Sequence, residues 1–239
     1  MSKTAHELTR KEMKGPDRFQ AVASEVAAWV VKRQKHLVFG AVGVLVVALI
    51  GIGISFVVES GHAKAADALY SAVDAASGEV SSIPLPNVNT PIYKTAEDKE
   101  KAVIEAAQKV RQGFANTRAA STAALLEGDA QLKLGHYDEA IAAYRSFLSG
   151  VSPQDSLRFG GLDGVARAQE GKGDLDGAVA TYRQATEIAA FKDLAQIELA
   201  RVLAKAGKSE EAKKALEAVS KDSAFETTAQ ERLAQLGAK

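Results

Sequence analysis

Apolar positions fall into three regimes along this chain. From Leu37 to Val58 it reads LVFGAVGVLVVALIGIGISFVV, 22 residues without a charge. At about 1.5 Å per residue this run is roughly 33 Å long as a helix, enough for a ~30 Å hydrocarbon core, so it predicts one spanning helix. A cleaved signal peptide is the rival reading, since Ala63-Lys64-Ala65 offers a small-x-small cleavage pattern. Its apolar stretch would be shorter, about 7–15 residues behind a short basic start. Ahead of the run, Asp17 follows Gly15-Pro16 as a helix cap, and Phe19, Val22, Val26, Trp29 and Val30 share one helical face. That face either lies on the membrane surface or docks on a membrane partner.

Beyond residue 58 the periodicity is helical throughout, with one interruption. Ala65–Ser77 and Glu97–Gly113 read as helices, and residues 81–95 between them carry Pro84, Pro86 and Pro91, which forbid a continuous helix. Phe225–Leu236 reads as a terminal helix. Three segments between these flanks align: Gly128–Leu148, Ala166–Thr186 and Ala200–Ser220. Each sets a small residue (Gly128, Ala166, Ala200) in a first helix and a glycine (Gly135, Gly173, Gly207) at its end. An alanine follows five residues later (Ala140, Ala178, Ala212). The alanines are 38 and 34 residues apart. Tyr137 and Leu175 stand beside the turn, and Tyr144, Tyr182 and Leu216 lie one helical turn past the alanine.

This pattern, LGHYDEAIAAY above all, resembles the tetratricopeptide repeat. The resemblance implies paired antiparallel helices in which the small residues allow close approach and the glycines enter the left-handed region. Glu127 stands where that family has a large apolar residue, and Ser209 replaces the usual aromatic. The expected fold is all-α. It divides into a basic tail (1–36), a transmembrane helix (37–58) and an exported repeat solenoid (59–239) with a proline-rich insertion at 81–95.

Charge fixes the expected direction of the span. The first 36 residues carry eight Lys/Arg against four acids, and the residues after the span carry 22 bases against 26 acids. Lys32, Arg33 and Lys35 precede the span and Glu59 follows it, so the positive-inside bias keeps the amino terminus cytoplasmic and exports the rest. In a bacterium this means an inner-membrane protein with a periplasmic domain. The mildly acidic exported part is unsuited to nucleic acid. With no cysteine, there is no disulfide framework, thiolate metal site or cysteine nucleophile.

No catalytic constellation can be assembled. His6, His36, His62 and His136 have no metal-ligand spacing. Gly171-Lys172-Gly173 reads as a helix-connecting turn, and Gly160-Gly161 with Gly164 as a thin helix start, neither as a nucleotide loop. No cofactor or metal is expected. What remains is a surface. The repeat resemblance places Leu125, Asp129, Leu132, Lys133, Asp163, Arg167, Glu170, Ile197, Arg201 and Lys205 on the concave face, a mixture suited to a peptide or an amphipathic helix.

The order of parts also resembles the YfgM-like membrane-anchored repeat proteins, ancillary subunits of the bacterial Sec translocon. That resemblance implies a non-catalytic binding protein whose partners are translocon subunits, a periplasmic chaperone or secreted clients. The alternative is a structural scaffold in another envelope machine for secretion, motility or wall synthesis. The oligomeric state stays open.

Overall fold

The computed structural model describes residues 61–83 and 89–237. The tail, the 37–58 run, Pro84 and Pro86 lie outside the described residues. Those described belong to one unit, Ser60–Lys239, and no helix among them is long and apolar enough to cross a membrane.

Nine helices run through this part of the chain. Helix α1 covers residues 61–77. The others are α2 Ala96–Gly113, α3 Arg118–Lys133, α4 Tyr137–Ser149, α5 Arg158–Lys172, α6 Leu175–Ala185, α7 Lys192–Lys205, α8 Ser209–Glu217 and α9 Glu226–Gly237. A short 3₁₀ turn, Ala189–Phe191, leads into α7. Local chemistry sets the starts. Thr95 Oγ1 accepts from the amide of Asp98 at 3.0 Å, Thr117 Oγ1 from Ala120 at 3.1 Å, and Asp174 Oδ1 from Gly177 at 2.9 Å. Each satisfies an amide donor that a helix start leaves without a partner. The stops follow from backbone freedom. Gly135, Gly173 and Gly207 have φ of 75°, 87° and 75°, where a Cβ would be strained.

The all-helical expectation has one small exception. Glu79–Val80 and Ile92–Tyr93 form a two-residue parallel strand pair, β1 and β2, across the base of the insertion. Glu79 donates to the carbonyl of Pro91 at 2.8 Å, and Ser81 to that of Tyr93 at 2.9 Å. Prolines block a helix here, so the two backbone segments satisfy each other. The Tyr93 ring lies so close to Gly78 that no Cβ would fit there.

The core runs along the stack and is built mainly from alanine. Ala65, Ala72, Ala107, Val110, Ala119 and Ala123 join α1, α2 and α3. Ala140, Tyr144, Val165 and Ala168 join α4 to α5. A larger cluster, including Ala178, Tyr182, Ala200, Leu203, Ala212 and Leu216, continues through α8 to Ala229 of α9. Small side chains permit the close helix approach, and the few large ones fill what is left. Gly128 and Gly164 flank the ring of Tyr144, and Gly161 makes room for Phe147. Gly161, Gly164 and Gly171 of α5 therefore serve packing, against Phe147, Tyr144 and Tyr137. The spacing of 38 residues against 34 arises after Ala140, because α4 has 13 residues where α6 has 11 and the loop before α5 is also longer.

Candidate functional site

The first helices of the repeats, α3, α5 and α7, lie side by side. α3 packs on α5 as well as on α4, and side chains of α5 and α7 bond directly. This sets the first helices on the inner side of the stack.

Six of the ten residues expected on that side form a polar strip along it. Asp129 of α3 accepts the Tyr144 hydroxyl at 2.7 Å. Asp163 of α5 accepts the Tyr182 hydroxyl at 2.8 Å and pairs with Arg167 at 2.9 Å. Glu170 receives Arg201 at 2.8 Å and Lys205 at 3.2 Å, both from α7. Arg201 also donates to Glu198 at 2.7 Å. The strip is nearly charge-balanced and its polar groups are held by one another. Arg167 and Lys205 still keep more than half of their side-chain surface in solvent.

The remaining four are placed differently. Leu125 and Leu132 are half-buried and wedge against the cluster of Ala140, Tyr144, Val165 and Ala168. Lys133 is drawn sideways to α2, where it meets Glu100 at 3.0 Å. Ile197 is a correction: at 3 % exposure it belongs to the core and offers a partner nothing. The repeat resemblance puts it on the concave face, but it joins the core cluster that runs from α5 to α9. Arg232 of α9 even donates to the Ile197 carbonyl at 3.0 Å.

Titration follows these contacts. Partial desolvation raises the Asp129 carboxyl from its ordinary value, with the Tyr144 hydrogen bond opposing it. Burial also raises the Tyr144 and Tyr182 hydroxyls, as do Asp129 and Asp163 respectively. For Glu170 burial pushes upward, but the hydrogen bonds from Arg201 and Lys205 outweigh it and hold the carboxyl below its ordinary value. Arg201 is held protonated by Glu198 and Glu170, against burial. These shifts describe fixed charges and donors. Among the described residues no cluster of three His, Cys, Asp or Glu is arranged to hold a metal ion.

Sequence reasoning missed Glu198, Glu100 and the two tyrosine hydroxyls. Tyr144 and Tyr182 read as gap-fillers, and nothing in their spacing from Asp129 or Asp163 marks the bond. A second site explains an oddity in the repeat. Glu127, only 6 % exposed, is bonded by Arg111 of α2 and by Gln108 at 2.9 Å. By the repeat alignment Glu127 corresponds to Val165 and Leu199. Glu127 pairs with Arg111 where its counterpart Val165 shares a cluster with Tyr144, so an ion pair stands in place of an aromatic–aliphatic contact. Arg111 also donates to Ser146 at 3.1 Å, and Gln108, Arg111, Glu127 and Ser146 all line a polar cleft of about 650 Å³.

Two stretches, residues 122–149 and 164–191, match the tetratricopeptide repeat family. They cover most of α3, all of α4 and then α5 from Gly164 through α6. Crystal structures of a putative kinesin light chain from Podosopora anserina, with nearly identical TPR-like repeats, and of a substituted form of it are similar to this chain. Each is 18 % identical, with a TM-score of 0.49, covering 58 % of this chain and 77 % of the other. No curated protein matches the sequence. The chain carries tetratricopeptide repeats, helical modules through which proteins bind one another.

Proposed function

We propose that this chain is a non-catalytic docking protein tethered to a bacterial inner membrane. Residues 37–58 span the membrane, the tail stays in the cytoplasm, and the repeats work in the periplasm. There they hold secreted or membrane-inserted clients, or a periplasmic chaperone, beside the Sec translocon. The polar strip of α3, α5 and α7 carries this reading. Its acids are held in fixed positions by bases and tyrosine hydroxyls, Arg167 and Lys205 reach solvent, and Leu125 and Leu132 border it with aliphatic surface. A peptide or amphipathic helix offers the complementary mixture. The uncharged 22-residue run supports the tether, the basic flank supports the direction, and the translocon enters through the resemblance in the order of parts.

The test is affinity purification of the full chain from membranes in mild detergent, compared with an Arg167→Ala/Lys205→Ala variant. Both residues are largely solvated, and Asp163 and Glu170 keep Tyr182 and Arg201 as partners, so the variant folds. Translocon subunits should co-purify with the native chain and be depleted from the variant. Recovery of a single stoichiometric partner outside the translocon would favour the scaffold reading. Equal recovery with both chains would show that the strip is not the docking face.

A further inference from the structure

The two ends of the repeat stack are finished differently. At the carboxyl end, α9 turns Thr227, Gln230, Glu231 and Gln235 to solvent, the polar outer face that a terminal repeat requires. At the amino end, α1 buries Ala65, Ala72 and Ala75 against the stack and leaves its opposite side apolar. Tyr70 is 71 % exposed and Val73 44 %, with Ala63 and Ala66 exposed on the same side. These four positions are spaced by three, four and three residues, the spacing of a two-helix seam.

We propose that this stripe is a self-association surface: α1 of one chain packs in parallel on α1 of a second copy. Two observations select that occupant. The 22-residue apolar run ends at Val58, just ahead of α1. Two copies anchored through this run in one bilayer leave it pointing the same way, at high local concentration. The charges flanking the stripe select the same arrangement. Asp67 and Asp74 lie along one side of it, His62 and Leu69 along the other. In an antiparallel pair the acid-bearing sides would meet and repel, whereas in a parallel pair Asp67 faces His62 of the second copy. The stripe spans barely two heptads and half of it is alanine, so the pairing is weak and is sought in the full chain, where a shared bilayer raises the local concentration. This orientation rests on the tether reading above.

The chain has no cysteine, so single cysteines report contacts without background. Full-length Ala66→Cys, Tyr70→Cys and Val73→Cys place a thiol on the stripe; Lys64→Cys and Ser71→Cys place one on exposed positions beside it. All are oxidised with copper phenanthroline in native membranes. A seam brings paired positions within disulfide reach, and the flanking ones stay outside it. Several-fold more disulfide dimer is expected from the three stripe variants than from the two controls. Equal dimer yields across all five, dimer from the controls alone, or stripe variants that bond only to a different protein would overturn the proposal. Carbonate extraction of the same membranes separates the two ideas. Release of the chain with the periodic crosslinking intact removes the tether and keeps the seam; retention with flat crosslinking removes the seam and keeps the tether.

Discussion

Two glycines on α5, four residues apart, should respond oppositely to the same substitution. A Cβ at Gly164 would lie 2.6 Å from Cε2 of Tyr144 and closer still to Cζ and Cε1, whereas one at Gly160 meets nothing within 4 Å. Carbon atoms pack at about 3.5–4.0 Å, so the Tyr144 ring must move by roughly 1 Å to accept Gly164→Ala. It has little room, because the ring is 1 % exposed and a Cβ at Gly128, on its other side, would lie 2.7 Å away. Overpacking costs about 1–3 kcal/mol, and a displaced hydroxyl loses its bond to Asp129, about 1 kcal/mol net. Replacing a helical glycine by alanine returns about 1 kcal/mol. The net loss is about 1–3 kcal/mol, a fall in melting temperature of several degrees at roughly 2–4 °C per kcal/mol. Gly160→Ala keeps only the propensity gain and should melt about 1–4 °C above the native chain. Thermal denaturation followed by circular dichroism at 222 nm reads both. Gly164→Ala melting at or above the native temperature would refute the packing argument.

Unfolding measurements test four further expectations. Glu127→Gln leaves Arg111 facing a neutral group and should destabilise by about 1–2 kcal/mol in urea unfolding, since Arg111 still reaches solvent. The pair Arg111→Met/Glu127→Leu, which restores the apolar character of the other repeats, should be within about 1 kcal/mol of native or more stable. Gly173→Ala, at φ 87°, should cost about 1–2 kcal/mol by the same measurement. Asp129 has a folded pKa raised above its unfolded value. Its ionised form therefore opposes folding above the folded pKa, and the penalty disappears below the unfolded one. Asp129→Asn should thus be as stable as native or more so at neutral pH, and lose that advantage as pH falls through the ordinary aspartate value of 3.8. An advantage that grows toward acid would contradict the assignment.

The repeat was legible because its determinants are local. Gly135, Gly173 and Gly207 mark turns that only glycine makes without strain, and Ala140, Ala178 and Ala212 mark the close approaches, all three fully buried. The inner strip was legible in part. Helical period gives the angular position of a side chain but not the depth of the neighbour covering it. Arg167 and Lys205 keep more than half of their side-chain surface in solvent, while Ile197, expected on the same face, is 3 % exposed and lies in the core. Partners were the least legible feature. Lys133 turns to Glu100, 33 residues earlier, and Tyr144 to Asp129 across the hairpin. Such bonds depend on where two helices meet, which no single period encodes. The strand pair escaped for a similar reason: Pro91 signals only that a helix is absent, and the mate of β2 is β1, on the far side of the insertion.

The central claim is that partners dock on the inner face of α3, α5 and α7. Site-specific photo-crosslinking in living cells tests it most directly, with the probe at Leu125, Arg167 or Lys205 and, as controls, at Arg145 of α4 or Lys213 of α8. The account predicts that the three inner-face positions capture the same protein and the controls capture little of it. Capture of equal strength from Arg145 and Lys213, or from those positions alone, would contradict it.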